Sequence, residues 1–504
     1  MELDFETCYR AIAVRDARFD GRFFTGVRTT GIYCRPICPA RTPRRENLGF
    51  YPSAAAAREA GFRPCRRCRP ECSPERGAWH GTSNTVARAL RLIEAGALDQ
   101  GPVEALALRL GLGARQLRRL FRHHLGASPL AIAQTRRLDL AKRLIDETGL
   151  GMTEIALAAG FRSIRRFNEA MRQAYGRPPG GLRRGRAAAQ PASSAALHLA
   201  LPFRPPYDWP AMLGFLAARA IPGIEAVAGA RYLRSIELDG RPGTIAIGPG
   251  GDGTSLAAAI CFPVPSALPE ILARLRRLFD LAADPAAIAA HLAADPAMAP
   301  LVRARPGLRV PGAWDGFELA VRGILGQQIT VAAATRLAGK LVAAYGTPLD
   351  AELAGGHLGA GLTHIFPRPE RLVGADLAAL GMPGSRARTL THLAAAAAAD
   401  PLLFAGDAGL EEAVAKLRSL PGIGDWTARY IAMRALREPD AFPTGDIGLL
   451  RALADAAGRR PTARELAARA EAWRPWRAYA ALHLWTADPR ASSARTFEGD
   501  LACA

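Results

Sequence analysis

No run of apolar residues in this 504-residue chain approaches the roughly 18 needed to cross a membrane, so no membrane partner is expected. The opening MELDFETCYRAIAVRD is acidic and mixed, without the basic start and apolar core of a secretory leader. A cytoplasmic protein is the expectation. Cysteine is scarce, at eight residues. In a reducing compartment a few clustered thiols argue for metal or catalysis rather than a disulfide scaffold. Lysine is nearly absent: Lys142, Lys340 and Lys416 are the only three.

Arginine therefore carries the positive charge, and it is unevenly placed. Residues 1–190 hold 34 arginines and lysines against 17 acids, a net +17, whereas residues 191–504 hold 32 against 29, a net +3. A basic excess confined to the first third points to a polyanion such as nucleic acid, although a solvated basic face gives the same count. The length predicts three or four domains.

The pattern along the chain divides it further. Residues 1–80 are loop-rich, with Gly, Pro and Arg between short apolar stretches. Residues 82–183 read as successive short amphipathic helices with glycine stops. Residues 184–196 are Ala/Ser/Arg-rich and aperiodic, an interdomain linker with no hint of a fixed interface between the regions on either side of it. Residues 197–306 mix strands and helices: LHLALPF, SLAAAICFPV and a hairpin about Asp239–Gly240 as strands, WPAMLGFLAARA and LPEILARLRRLFD as helices. From about Trp314 through residue 495 nearly every segment is helical. The fold class is thus multidomain, mainly α with α+β.

Cys34, Cys38, Cys65 and Cys68 form two close pairs, C-x3-C and C-x2-C, with 26 residues between them. Four soft thiolates suit one tetrahedral zinc, which would compensate for the small core of a loop-rich segment. Spacing alone favours a purely structural metal. Cys8, Cys72, Cys261 and Cys503 lack such pairing and read as buried or incidental thiols; Cys72 is near enough to Cys68 to be a spare thiol by the metal.

In 82–183, VEALALRLGLGARQLRRLFRHHLG places a turn at Gly111 before a helix carrying Arg115, Arg118, Arg119 and Arg122. MTEIALAAGFRSIRRFNEAMRQAYG repeats the plan about 48 residues on, with its turn at Gly160 followed by Arg162, Arg165, Arg166 and Arg172. Two helix-turn-helix units joined by a long helix could enter successive major-groove faces, the alternative being an ordinary bundle with solvated arginines. In the last region Leu420-Pro421-Gly422-Ile423-Gly424 lies between two helices. Such a hairpin exposes backbone N–H groups where a DNA phosphate can sit. Asp446, 22 residues after Gly424, stands at the expected start of the next helix, where Asp is by default an N-cap.

These words carry three resemblances. RTTGIYCRPICPAR with RENLGFYPSAAAAREAGFRPCRRCRPE, over roughly residues 5–75, resembles the zinc domain of the Ada family of DNA-alkylation response proteins. The resemblance implies that Cys34 accepts a methyl group irreversibly from a methylated DNA phosphate while Cys38, Cys65 and Cys68 complete the zinc site. The two helix-turn-helix units, including Gly160, Phe161, Ser163 and Phe167, resemble the AraC-type DNA-binding domain. Residues 197–490, with FELAVRGILGQQITVAAATRLAGKLV, the hairpin, Asp446 and WRPWRAYAALHLW, resemble the AlkA branch of 3-methyladenine DNA glycosylases in the helix-hairpin-helix superfamily.

That last resemblance implies that Asp446 is catalytic, that Trp426 and Trp485 line the base pocket, and that Gln328 or Ile329 fills the gap left by a flipped base. It also implies that carbonyls of Arg418, Leu420 and Ile423 can hold a monovalent cation. Superfamily members that also cut the backbone carry a lysine where this chain has Trp426, so a monofunctional enzyme is implied. The Pro-Cys-His-Arg motif that often closes Ada proteins is absent.

The expected whole is a fusion: an alkylation sensor and transcriptional activator joined to an enzyme excising 3-methyladenine and 7-methylguanine type bases. Its partners would be alkylated and promoter double-stranded DNA and RNA polymerase, with the chain a monomer. An alternative is a transcriptional regulator whose glycosylase half is only a DNA-binding platform. A second is an enzyme whose N-terminal half only targets it. Asp446, the hairpin and the tryptophans weigh against the first, and the intact cysteine motif against the second.

Overall fold

The computed structural model describes residues 4–74, 84–183 and 196–487, except 357, 407 and 456. The segment read as a linker, apart from Ala196, and Cys503 lie outside them. The first region is more ordered than its loop-rich sequence implies. Strands β1 (Phe24–Val27), β2 (Ile32–Cys34), β3 (Leu48–Tyr51) and β4 (Arg63–Pro64) form a sheet in the order β3-β1-β2-β4. Strands of two to four residues are too short to show a period-2 pattern. They are held by a small apolar core of Cys8, Ala11, Ile12, Phe23, Val27 and Leu48.

The next region is helical as expected. Helices Val103–Arg109 and Ala114–Leu125 flank Gly111, and helices Met152–Ala158 and Ile164–Tyr175 flank Gly160. Both glycines have positive φ, +68° and +86°, which lets the chain reverse between helices. The 19-residue helix Pro129–Glu147 joins the two units, with Ser128 as its N-cap.

The third region is built on an antiparallel five-stranded sheet in the order β5-β9-β8-β7-β6: β5 (Leu197–Pro202), β6 (Glu225–Ala228), β7 (Arg231–Leu238), β8 (Arg241–Pro249) and β9 (Ser255–Cys261). The β7–β8 hairpin turns at Asp239–Gly240, both at positive φ. The short edge strand β6 was not foreseen. Helices then dominate, from Gly316–Leu325 to Arg477–Ala487, around one large apolar core.

A buried ion cluster ties this sheet to the helices. Arg234 Nη1 donates to Glu225 at 3.0 Å and its other nitrogen to Glu318, while Arg322 Nη2 reaches Glu225 at 2.5 Å and Glu318 at 2.7 Å. Burial pushes the Glu225 carboxyl up, but Arg322 and Arg234 outweigh it and hold it down at about 2.

The linker carries no hint of an interface, yet the regions on either side of it pack together. One apolar core contains Leu138, Phe167 and Tyr175 of the helix-turn-helix region together with Leu199, Ile245 and Phe279 beyond it. Ion pairs and hydrogen bonds reinforce it: Arg22 Nε donates to Asp284 at 3.0 Å, Arg143 to the Ala200 carbonyl, and Arg91 Nη2 to Gly406 O at 3.2 Å and Glu438 at 3.4 Å. Pairings across so many residues leave no local pattern in a sequence.

Candidate metal centre and candidate active site

The register of the first sheet brings the four cysteines together. Strands β2 and β4 pair in parallel, Tyr33 opposite Pro64, so Cys34 and Cys65 emerge side by side at the strand ends. Cys38 N–H donates to Arg35 O at 3.1 Å, a turn that folds it back beside Cys34. The four sulfurs all lie within 4.8 Å of one another, with Cys34 and Cys38 half-buried and Cys65 and Cys68 buried. A zinc with Zn–S bonds of about 2.3 Å needs sulfurs about 3.8 Å apart, so the quartet fits the metal with an adjustment of about 1 Å at most.

Cys8 and Cys72 stand outside the quartet. Burial pushes both thiols up to about 11, which leaves them unreactive at neutral pH. A cavity of about 660 Å³ opens beside Cys34. Exposed Arg41, Arg63, Arg66, Arg67 and Arg177 are among the residues lining it, and no acid is among the described ones that do. Arg177 and Tyr175 come from the second helix-turn-helix unit; Arg66 Nη2 donates to Tyr175 O at 3.3 Å.

In the two units Arg115, Arg118, Arg119, Arg122, Arg162, Arg165, Arg166 and Arg172 are all exposed. Arg118 also pairs with Glu104 at 2.7 Å. The others face solvent, Arg162 in the second turn and the rest on the helices that succeed each turn.

The C-terminal site gathers residues distant in sequence. Asp446 caps helix Ile447–Ala452, its Oδ1 accepting from Gly448 N at 2.9 Å and Leu449 N at 3.0 Å. Trp485 Nε1 donates to the same oxygen at 2.8 Å, and Trp426 Nε1 donates to Oδ2 at 2.8 Å. Four donors therefore fix the half-buried carboxylate, and Oδ2 carries only one of them. Trp426 stacks on Tyr430, ring centroids 5.1 Å apart and planes 9° apart. The indoles were expected as pocket walls; the structure adds that their N–H groups clamp the aspartate.

The hairpin Leu420–Gly424 joins helices Leu410–Arg418 and Asp425–Arg434. Gly422 has φ +85°, and a Cβ there would meet Thr389 Oγ1 at 1.9 Å. Gly424 is the N-cap of the second helix, with nothing within 4 Å of where a Cβ would stand. Across from it, Gln328 is exposed at φ +58° in the turn before helix Val331–Tyr345, and Ile329 is half-buried. Sequence reasoning missed Gln327, whose side-chain amide donates to Gly422 O and Thr427 Oγ1, both at 3.2 Å. Arg386 Nη2 donates to Gln327 O at 2.5 Å, so the turn is fastened to the hairpin. The lysines of this region are engaged elsewhere: Lys340 donates to Leu380 O and Lys416 pairs with Asp400.

Four family patterns match in series: the metal binding domain of Ada over residues 7–71, a helix-turn-helix domain over 106–185, the AlkA N-terminal domain over 198–315, and the HhH-GPD superfamily base excision DNA repair proteins over 321–478. The chain is 44% identical over 493 residues to a probable bifunctional transcriptional activator/DNA repair enzyme AlkA of Mycobacterium tuberculosis, covering 96% of this chain and 97% of that one. The chain belongs to the bifunctional transcriptional activator/DNA repair enzyme AlkA family. Within this bifunctional AlkA family chain, the C-terminal part is 39% identical over 292 residues to DNA-3-methyladenine glycosylase 2 of Escherichia coli, 56% of this chain and 95% of that one. A 3-methyladenine DNA glycosylase from Archaeoglobus fulgidus shares the fold, with a TM-score of 0.50 at 22% identity over 57% of this chain and 97% of that one. Zinc is the metal that the Ada-type quartet suits, and no helix among the described residues is long and apolar enough to cross a membrane.

Proposed function

We propose that Asp446 is the catalytic carboxylate of a glycosylase that excises alkylated purines of the 3-methyladenine and 7-methylguanine type, and that Cys34 is the methyl acceptor of an alkylation sensor in the same chain. The observation that carries this reading is the clamped carboxylate. Oδ1 is saturated by three N–H groups while Oδ2 accepts from one and keeps lone-pair capacity.

Alkylation at N3 or N7 makes the base a cationic leaving group. When the C1′–N bond breaks, its electron pair neutralises the base and positive charge develops on the sugar. A carboxylate fixed beside C1′ stabilises that charge and directs water to it; the water adds to C1′ and loses a proton. The base must leave the duplex first. Gln328, exposed at the turn, fills the gap, and the indole faces of Trp426 and Trp485 stack on the cationic base, about 0.5–2 kcal/mol of cation–π attraction. With Trp426 where a lysine would form a Schiff base, the product is an abasic site. Gly422 and Gly424 offer backbone N–H groups to a DNA phosphate.

At the other site zinc, when bound, keeps its thiolates ionised at neutral pH. Cys34 sulfur attacks the methyl carbon of a methylphosphotriester: an S–C bond forms, the C–O bond breaks, and the phosphodiester leaves as an anion. One negative charge disappears from the centre beside five exposed arginines, which raises DNA affinity. Arg115, Arg118, Arg119, Arg165 and Arg166 then hold promoter DNA, with RNA polymerase as the protein partner and the chain acting as a monomer.

Base-release profiling on alkylated duplex DNA tests the reading. Asp446→Asn is expected to cut 3-methyladenine release at least about 100-fold with DNA binding retained; unchanged release would reject the assignment. Peptide mass after exposure to methylated DNA should place one methyl on Cys34, and a methyl on Cys38 instead would reject the acceptor.

A further inference from the structure

We infer that Arg204, in the C-terminal region, is a positioning residue for the four-cysteine centre, acting through Asp20 and Arg35; its link to methyl transfer rests on the acceptor reading of Cys34. Arg35 is the next residue after Cys34. Its backbone N–H donates to Cys68 Sγ at 3.3 Å and its Nη1 to Cys68 O at 3.1 Å. Its guanidinium is gripped at both prongs by Asp20, Nε to Oδ1 at 2.9 Å and Nη2 to Oδ2. Asp20 is 5% exposed. The place of the Asp20 carboxylate thus sets the place of Arg35, and through it one companion sulfur and the chain on the C-terminal side of the acceptor.

Asp20 is in turn held from the other half of the protein. Arg204, 2% exposed, donates from Nε to the Asp20 carbonyl at 3.2 Å and from Nη1 to Ala282 O at 3.4 Å. Its own carbonyl accepts from buried Arg309, which anchors it to its side of the interface. The approach requires Gly21: at φ +73°, a Cβ there would stand 2.2 Å from Pro74 O and 3.0 Å from Arg204 Nη2. Its Nη2 is buried without a hydrogen-bond partner among the described residues, so the bonds from Nε and Nη1 are the ones set against the cost of burying this guanidinium. Arg35 stands one step behind Cys68, where loss of such a group costs about 10–100-fold in affinity or activity, and Arg204 stands two steps further back, so the lower end of that range is the expected effect. The zinc centre is therefore buttressed by the glycosylase half. Arg91 provides the contrast, because it joins the two halves at Gly406 and Glu438 with no contact to Asp20 or Arg35.

The test uses the full-length chain and three variants, with base release from alkylated DNA in the same samples reporting that the fold is intact. Arg204→Met is expected to slow single-turnover methylation of Cys34 by about 10-fold, to speed zinc loss to a chelator by a similar factor, and to speed amide exchange at Arg35 in the metal-free chain. Arg204→Lys, which keeps a cationic donor to the Asp20 carbonyl, should restore most of all three. Arg91→Met should leave all three at the parent values. The inference is overturned if Arg204→Met matches the parent, or if Arg91→Met produces the same losses, which would reduce the effect to docking. If the parent chain takes no methyl on Cys34, the acceptor reading falls, while zinc loss and Arg35 exchange still decide the positioning role.

Discussion

Cys34 stands among three other sulfurs at the edge of a cavity with arginines around it, whereas Asp446 stands among four N–H groups, two from the backbone and two from indoles. The first group is held by ligands that share its metal and lie within 35 residues of one another in sequence. The second is held by residues from three helices, with Trp426 and Trp485 lying 20 and 39 positions from Asp446. A thiolate that must attack a methyl group needs exposure and a metal to keep it ionised. A carboxylate that must face a developing cation needs rigid orientation. The two halves therefore differ in what breaks them.

Removing the metal should separate the sites most completely. A chelator that strips zinc is expected to abolish methyl uptake and loosen residues 4–74, while most base release persists, since the Cys34, Cys38, Cys65, Cys68 quartet is the His/Cys/Asp/Glu cluster suited to a metal ion among the described residues; both activities assayed in one sample check this. Loss of both together would mean that the sites are not independent in this sense.

Next in size is the ion cluster that ties the five-stranded sheet to helix Gly316–Leu325. Glu225→Gln leaves buried Arg234 and half-buried Arg322 without one carboxylate, and should cost about 3–5 kcal/mol, read as a lower melting temperature of the glycosylase half. The sign with pH comes from the lowered carboxyl. Its contribution is fully present above its ordinary value of 4.5 and is lost as pH falls toward about 2. The parent should lose melting temperature across that window, and the variant should show a flatter profile.

The indoles come third. Trp426→Phe and Trp485→Phe each keep an aromatic face and remove one donor to Asp446. About 1.5 kcal/mol for a bond to a charged group predicts roughly a tenfold drop in single-turnover base release with methyl uptake unchanged. An unaltered rate would show that the aromatic faces alone matter. Smallest is the electrostatic switch: taking one negative charge from the zinc centre should tighten non-specific DNA binding by about 1 kcal/mol or less, and the gain should shrink with salt. Titration of methylated and unmethylated protein at two salt concentrations measures it.

The same contrast explains what the sequence disclosed. The cysteine quartet, both helix-turn-helix units and the Gly422–Gly424 hairpin are each written in a short contiguous stretch, so spacing and period expose them. Asp446 was legible as an N-cap, but its clamp was not, because no local rule connects residues 426, 446 and 485. The small sheet escaped because its strands are too short for a period, and Gln327 because a Gln-Gln pair carries no signal of which amide turns inward. Least legible was the contact between the halves: Arg22 with the Asp284 carboxylate and Arg204 with the Asp20 backbone carbonyl are ordinary residues until the fold brings them together.

The apolar core shared by Phe167 and Tyr175 with Leu199 and Phe279 bears on how the molecule ages. A protease that cuts the peptide between residues 184 and 195 breaks one covalent bond and leaves that core, with Arg143 on Ala200 and Arg91 on Glu438, in place. A nicked molecule should still migrate as one particle in native conditions and come apart only in denaturant. The two repair activities are thus fastened by their packing as well as by their chain.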